Sequence, residues 1–293
     1  MKKIFALIFI LGFYQNNFAQ LPPSDFMYCL NRPEIQKEDL MLTTGTYTLI
    51  DENVKWALNK FWVKPASIKL ISSTAKTNLS CSYMSIVDLQ TTGETGNFYN
   101  THFRVTNEMK SQDPNIIFDI AFDNFIAKDD EKVVIGSDKY ITLVADKALI
   151  YTMLFCSVAK NFSNDFGSFR KAINGYNDYM EKAKEKIKTT TMLIPKELMD
   201  NGLTKEGLAG LNIKYEIIPS ADIAKRIKEG NNVKNYSELL VYKADKMQDY
   251  AYLVDIETGD LISYANMGGG IISKTYKYMD DKRFNKLMTK LIN

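Results

Sequence analysis

The chain is 293 residues long, with 37 Lys and Arg against 35 Asp and Glu, 45% hydrophobic residues, three cysteines and a single histidine. That length supports one large core or two smaller ones, and the near-balance of charge offers no basic face for nucleic acid or anionic lipid. One histidine excludes H-E-x-x-H zinc sites and Cys₂His₂ fingers, each of which needs two.

The first element is MKKIFALIFILGFYQNNFAQ. Lys2 and Lys3 precede an apolar run of about ten residues, and Ala19-Gln20 closes it before Leu21-Pro22-Pro23. This pattern predicts a signal peptide over 1–20, cleaved near Gln20, and a mature chain exported to the periplasm or beyond the cell. The nearest cysteine to the cleavage site is Cys29, so no lipoprotein anchor is expected. No later run offers the ~18 uninterrupted apolar residues of a membrane span, so no integral membrane segment is expected in the mature chain. Loss of Lys2 and Lys3 leaves 35 basic and 35 acidic residues.

A first α/β module is predicted over 21–165. "TYTLI" (46–50) reads as its opening strand and "DENVKWALNKFW" (51–62) as a helix, with Asp51 as N-cap and Val54, Leu58 and Phe61 on one stripe. "IKLIS" (68–72) and "SYMSIVDL" (82–89) read as strands, followed by a turn at Gly93–Gly96 and the strand "FYNTHFRVT" (98–106). "NIIFDIAFDNFI" (115–126) alternates as a strand, and "KYITLVADKALIYTMLFCSVA" (139–159) reads as a hairpin. A connecting helix follows over 166–188, with Phe169, Ile173, Tyr176, Met180 and Ile187 at helical spacing.

The second module, 189–293, reads β-α-β-α-β-β-β-α. Its parts are "TTTMLIP" (189–195), a helix at 203–211 capped by Thr204, "KYEIIP" (214–219), and a helix with Ser220 as cap and Gly230 as terminator. Then come "YSELLVYKA" (236–244), the hairpin "YAYLVDIETGDLISYAN" (250–266) and a closing helix over 273–292. Three pairs of segments recur in order: IKLIS with YEIIP (215–219), SYMSIVDL with NYSELLVY (235–242), and ETGNF (94–98) with ETGDL (257–261). They predict a tandem duplication. The fold class expected is α/β, two related modules each with a mixed sheet and helices packed on it.

Motifs for chemistry fail on inspection. "GGGIISKT" (268–275) has Ser273 where a phosphate loop needs its second glycine, and lies too near the C-terminus for a later strand to hold Mg²⁺. It reads as a turn with Ser273 capping the last helix. "DFG" (165–167) lacks the H-R-D loop of kinases. His102 sits in an alternating strand with no G-x-S-x-G elsewhere. Asp119 and Asp123 share a strand face about 13 Å apart, wider than glycosidase pairs. "KDDEK" (128–132) and "MDDKR" (279–283) lack calcium-loop spacing and read as solvated turns. No catalytic, cofactor or metal residue is therefore predicted. Cys29, Cys81 and Cys156 allow one disulfide in an oxidising compartment, with the pairing open, or a set of buried thiols.

The stretches "ALNKFW", "IKLIS" and "SYMSIVDL", with "TTTMLIPKEL", "LTKEGL", "KYEIIP" and "ADIAKRI", resemble a group of exported Bacteroidetes proteins with tandem α/β modules and no assigned role. The hairpin Val254-Asp255-Ile256-Glu257-Thr258-Gly259 before a C-terminal helix is more weakly similar to the TolB N-terminal module. These resemblances imply an envelope location and carry no active site. The function expected is a non-catalytic interaction protein holding a protein or glycan of the envelope, or a second copy of itself as a homodimer. Trp56, Trp62, Tyr250 and Tyr252 are its candidate binding surface. The alternatives are a hydrolase using carboxylates or a serine without histidine, and a small-ligand carrier binding between the modules.

Overall fold

The computed structural model describes residues 40–44, 47–62, 68–72, 84–86, 91–94, 98–107, 115–121, 137–162, 168–200, 204–244, 248–268 and 281–292. A first sheet comprises β1 (Leu40–Thr44), β2 (Ile68–Ser72), β3 (Met84–Ile86), β4 (Thr91–Glu94), β5 (Phe98–Asn107) and β6 (Asn115–Ala121). Its order is β2-β1-β3-β5-β4, with β6 also paired to β5. β1 runs parallel to both β2 and β3, and Leu40 faces Ile68 on one side and Met84 on the other. β3, β4 and β6 are antiparallel to β5. The pairing of β3 (Met84 with Asn107) and of β4 (Thr91 with Thr101) differs by one residue of register, so β4 continues β3 along the same ten-residue strand.

Helix α1 (Thr48–Phe61) begins three residues earlier than its sequence pattern indicated. Thr48, Leu49 and Ile50 are helical, not the end of a strand, and Tyr47 takes the N-cap position in extended conformation. Asp51 lies inside the first turn, where a carboxylate still complements the helix dipole. Ile50, Val54, Ala57 and Leu58 recur at the 3.6-residue period and are buried.

The largest departure from expectation is α2 (Asp138–Phe162), 25 residues of helix where a hairpin was read. Leu143 to Ala159 is buried at every position but Asp146. An apolar run of that kind has no polar face, so its period cannot be distinguished from a buried strand, and only its length argues for helix. Protein surrounds it: α1 lies along it, Phe103 of β5 meets Tyr151 edge-on at 6.1 Å, and the second sheet covers the rest. Residues 141–161 are long and apolar enough to cross a bilayer, yet most of that stretch is buried inside the protein.

Helix α3 (Phe169–Lys184) and a 3₁₀ turn (Glu185–Lys188) lead to the second sheet, and Ser168 caps α3 by accepting from the Lys171 N–H. That sheet contains β7 (Thr191–Pro195), β8 (Tyr215–Ile218), β9 (Tyr236–Ala244), β10 (Gln248–Asp255) and β11 (Leu261–Gly268), in the order β11-β10-β9-β7-β8. β7 is parallel to β8 and β9, while β9, β10 and β11 form an antiparallel meander with a bulge after Leu253. Between and after the strands lie α4 (Lys196–Asp200), α5 (Lys205–Ala209), α6 (Ser220–Glu229) and α7 (Asp281–Ile292). Helix α4 has no counterpart in the sequence pattern.

The strand period of two sorts the core into layers. Leu193, Leu240, Tyr252, Val254 and Leu261 face α2, α3 and α6, in one cluster with α1 and Phe103. Met192, Ile194, Leu239, Val241, Ala251 and Leu253 face the other way, against Leu198, Leu208, Phe284, Leu287, Met288 and Leu291 of α4, α5 and α7. The protein is thus a mixed helix-and-sheet fold whose five-stranded mixed sheet is buried on both faces, as an α/β reading requires.

Two caps differ from the sequence pattern and one agrees with it. Thr204 donates its N–H and hydroxyl to Asp281, at 2.8 and 2.5 Å, so it joins α5 to the start of α7. The "MDDKR" stretch is therefore a helix start at Asp281, not a solvated turn. Ser220 is the first residue of α6, with Pro219 at the cap position. Gly230 ends α6 in the left-handed region, φ +69°, as expected.

Candidate functional site

Two networks of described polar and ionisable side chains lie along α2, both where it meets the second sheet. The first is near its N-terminal half. Lys147 and Glu238 form an ion pair at 3.2 Å with side chains only 3% and 2% exposed. Burial raises the Glu238 carboxyl, and the Lys147 ammonium opposes that rise. Asn53 of α1 donates to the Ala145 carbonyl at 2.8 Å and accepts from Lys228 of α6. On α4, Glu197 accepts from the Ser220 N–H and hydroxyl at 3.0–3.3 Å. Asp146 stands among them: burial lifts its carboxyl to about 6, against the pull of Lys228 and Lys147 and with help from Glu197. Asp146 Oδ2 and Glu238 Oε2 are buried and have no hydrogen-bond partner.

The second place is one end of the β10–β11 hairpin. Asp255 Oδ1 accepts from the N–H groups of Glu257 and Thr258, closing an Asx turn that sends Gly259 and Asp260 toward α2. Asp260 Oδ1 accepts from the Ser157 hydroxyl at 2.6 Å, and Lys186 lies 3.5 Å from Asp255 and 3.8 Å from Asp260. Asn161 donates to Ser157 and Asp260. Burial first, then Asp260 and Asp255, pushes the Tyr179 phenol well up. A serine donating to a carboxylate has the polarity of an activated nucleophile. Ser157 is only 5% exposed, however, so a carbonyl carbon has no approach to its Oγ. The raised Tyr179 phenol is also shifted away from the value a general base needs at neutral pH. This network ties the hairpin to the helix.

The residues singled out from sequence scatter. Trp62 is partly buried, its ring stacked on Phe155 of α2 at 5.6 Å and 9°, with Nε1 buried and unpartnered. Trp56 is half-exposed, edge-on to Phe61, with Lys60 Nζ 4.8 Å from its ring centroid. Tyr252 is fully buried beside α2 and so presents no face to a partner, which corrects its place in a binding surface. The alternation of "YAYLV" gave no sign of this, because both faces of β10 are covered. Tyr250 lies in β10 opposite Tyr242 and Asn266, and its side chain falls outside the described residues.

His102 pairs with Ala121 in the first sheet, and Asp119 with Arg104. Asp123, Cys29, Cys81, "DFG" and Gly269 to Asp280 lie outside the described residues. Among the described residues no group of three His, Cys, Asp or Glu side chains is placed to hold a metal. Cys156 is free and 3% exposed, and burial drives its thiol far up. A thiol so held is neither thiolate nor accessible. Iodoacetamide should leave Cys156 unmodified in the native protein and label it in denaturant, read by mass spectrometry of the peptide. Native labelling at a comparable rate would contradict the burial.

A smaller cluster lies at the β8 edge of the sheet. Arg226 donates through both terminal nitrogens to Glu216 Oε2 at 3.2 Å, and the Tyr236 hydroxyl donates to Glu216 Oε1 at 3.1 Å. That bond raises the Tyr236 phenol. All three groups are partly exposed. No family model, curated protein or solved structure matches the chain.

Proposed function

We propose that this chain is an exported, non-catalytic interaction protein of the cell envelope, built from two copies of one sheet-and-helix unit. The observation that carries the duplication is a shared topology. The first sheet runs β2-β1-β3-β5-β6 and the second β8-β7-β9-β10-β11, with the same strand directions at each place. Register agrees as well. Leu40 faces Ile68 and Met84, and Met192 faces Tyr215 and Ser237. Aligning IKLIS with YEIIP places Ile68 on Tyr215, and aligning SYMSIVDL with NYSELLVY places Met84 on Ser237. A chance likeness has no reason to satisfy both registers at once. The third pair lends no support: Glu94 ends the strand before β5, whereas Glu257 to Gly259 turn β10 into β11.

What favours a non-catalytic role is the use made of the desolvated polar groups. Lys147–Glu238, Lys228–Asn53 and Ser157–Asp260 all join α1 or α2, which follow strands of the first sheet, to elements of the second. A partner would find half-exposed backbone and apolar side chains at the edge strand β8, and the Trp56–Lys60 pair on α1. Edge strands recruit extended peptides through their free N–H and C=O groups. The outlet for export is the basic, then apolar, N-terminus. Crosslinking from the native envelope with the full chain should retain a protein or glycan partner, with Trp56→Ala reducing the yield. Turnover of a glycoside or ester panel by the purified chain, with nothing retained, would reverse the reading in favour of a hydrolase.

A further inference from the structure

We propose that the Asp146, Lys147, Lys228, Glu197 and Glu238 cluster is a proton-binding site that tightens the docking of α2 on the second sheet when protonated and loosens it when deprotonated. Counting charge gives the reason. Three carboxylates, from α2, α4 and β9, face two ammonium groups, from α2 and α6; Lys147 and Glu238 are buried, Asp146 and Glu197 half-buried, and Lys228 lies at the exposed margin. Fully ionised, the group carries one uncompensated negative charge, which a low-dielectric site disfavours. A single added proton balances it.

Geometry decides which carboxylate takes the proton. Glu238 is fixed to Lys147 at 3.2 Å, and Glu197 accepts from the Ser220 N–H and hydroxyl. Asp146 Oδ2 is buried with no hydrogen-bond partner, so Asp146 gains most from neutrality. Its carboxyl is correspondingly raised, to about 6. α1 contributes only the uncharged Asn53 here. Tyr179, Asp260 and Lys186 meet α2 at Ser157, about 16 Å along the helix from Asp146, where they form a network of their own.

The sign follows from linkage. A carboxyl raised in the closed state binds its proton more tightly there than in an opened state with an ordinary value. The closed state is therefore favoured most in acid, and that advantage is lost as pH rises through about 4 to 6. Opening of α2 from the sheet should grow about tenfold between pH 5 and pH 8.

Hydrogen exchange of the full chain tests this, with rates corrected for intrinsic pH dependence and read over peptides from 141–150 and 236–241. The expected result is that rise in the wild type and a clearly smaller one in Asp146→Asn, where only the raised Glu238 carboxyl remains. An equal rise in the variant, or none in the wild type, overturns the proposal. Carbon-13 NMR titration of the Asp146 carboxyl in the unaltered chain decides independently should the variant fail to fold. A midpoint near 6 supports the site, and one near 4 removes it.

Discussion

Glu238→Ala is expected to lower the stability of the folded chain by about 3–5 kcal/mol in urea denaturation at neutral pH. The truncation leaves the Lys147 ammonium in a core where its side chain is 3% exposed, with its ion-pair partner at 3.2 Å gone. Lys147 cannot relieve this by reaching water, because it leaves mid-helix between α1 and the second sheet. Solvating the stranded ammonium would require forcing α2 away from β9, at a free-energy cost. Lys147→Met should cost a similar amount by stranding Glu238, whose Oε2 already lacks a partner. The double change Lys147→Met with Glu238→Leu should lie within ~1 kcal/mol of the parent or above it, since apolar isosteres remove both desolvation costs at once. A loss below ~1 kcal/mol for either single change, or a double as damaged as the two singles added, would show that the pair is hydrated in solution and not part of the core.

Much of the second half was legible because several of its strands and helices carry a local stop signal. Pro195 and Pro219 end β7 and the β8 segment, Gly230 ends α6, and the Asp255 turn closes the β10–β11 hairpin. Alternation worked in β5 and β6. It failed for α2, where burial on all sides erased the polar face that marks a helix, and for the start of α1, where Tyr47-Thr48 looks like strand and no side chain caps the helix. The polar clusters escaped sequence reasoning for a different reason. Lys147 and Glu238 are 91 residues apart, and Ser157 and Asp260 are 103. Charged residues inside an apolar run were the available signal: Asp146-Lys147 interrupts "ITLVADKALI", and Glu238 interrupts "YSELLV". An ionisable residue in such a run is a request for a partner across the core. Matching the lysine on one to the acid on the other needs only opposite sign and similar depth.

Gly259→Ala is expected to destabilise by about 3 kcal/mol or more, for two separable reasons. The backbone at 259 is left-handed, φ +76°, which costs an L-residue about 1 kcal/mol relative to glycine. In addition, a Cβ there would sit 2.7 Å from the Met153 carbonyl oxygen, 2.8 Å from its carbonyl carbon and 2.9 Å from its Cβ. Those atoms belong to the middle of α2 and cannot swing aside as a flexible side chain would. Relief would require lifting the hairpin from the helix, which stretches the Ser157–Asp260 hydrogen bond and the Lys186 contacts with it. Gly230→Ala isolates the first reason: its φ is +69°, and nothing lies within 4 Å of the added carbon. That variant should lose only about 1 kcal/mol. Equal losses for the two alanines would mean that the hairpin does not rest on α2 in solution. The docking of the turn, and with it the contact between the two halves of the chain at that end of the helix, would then have to be abandoned.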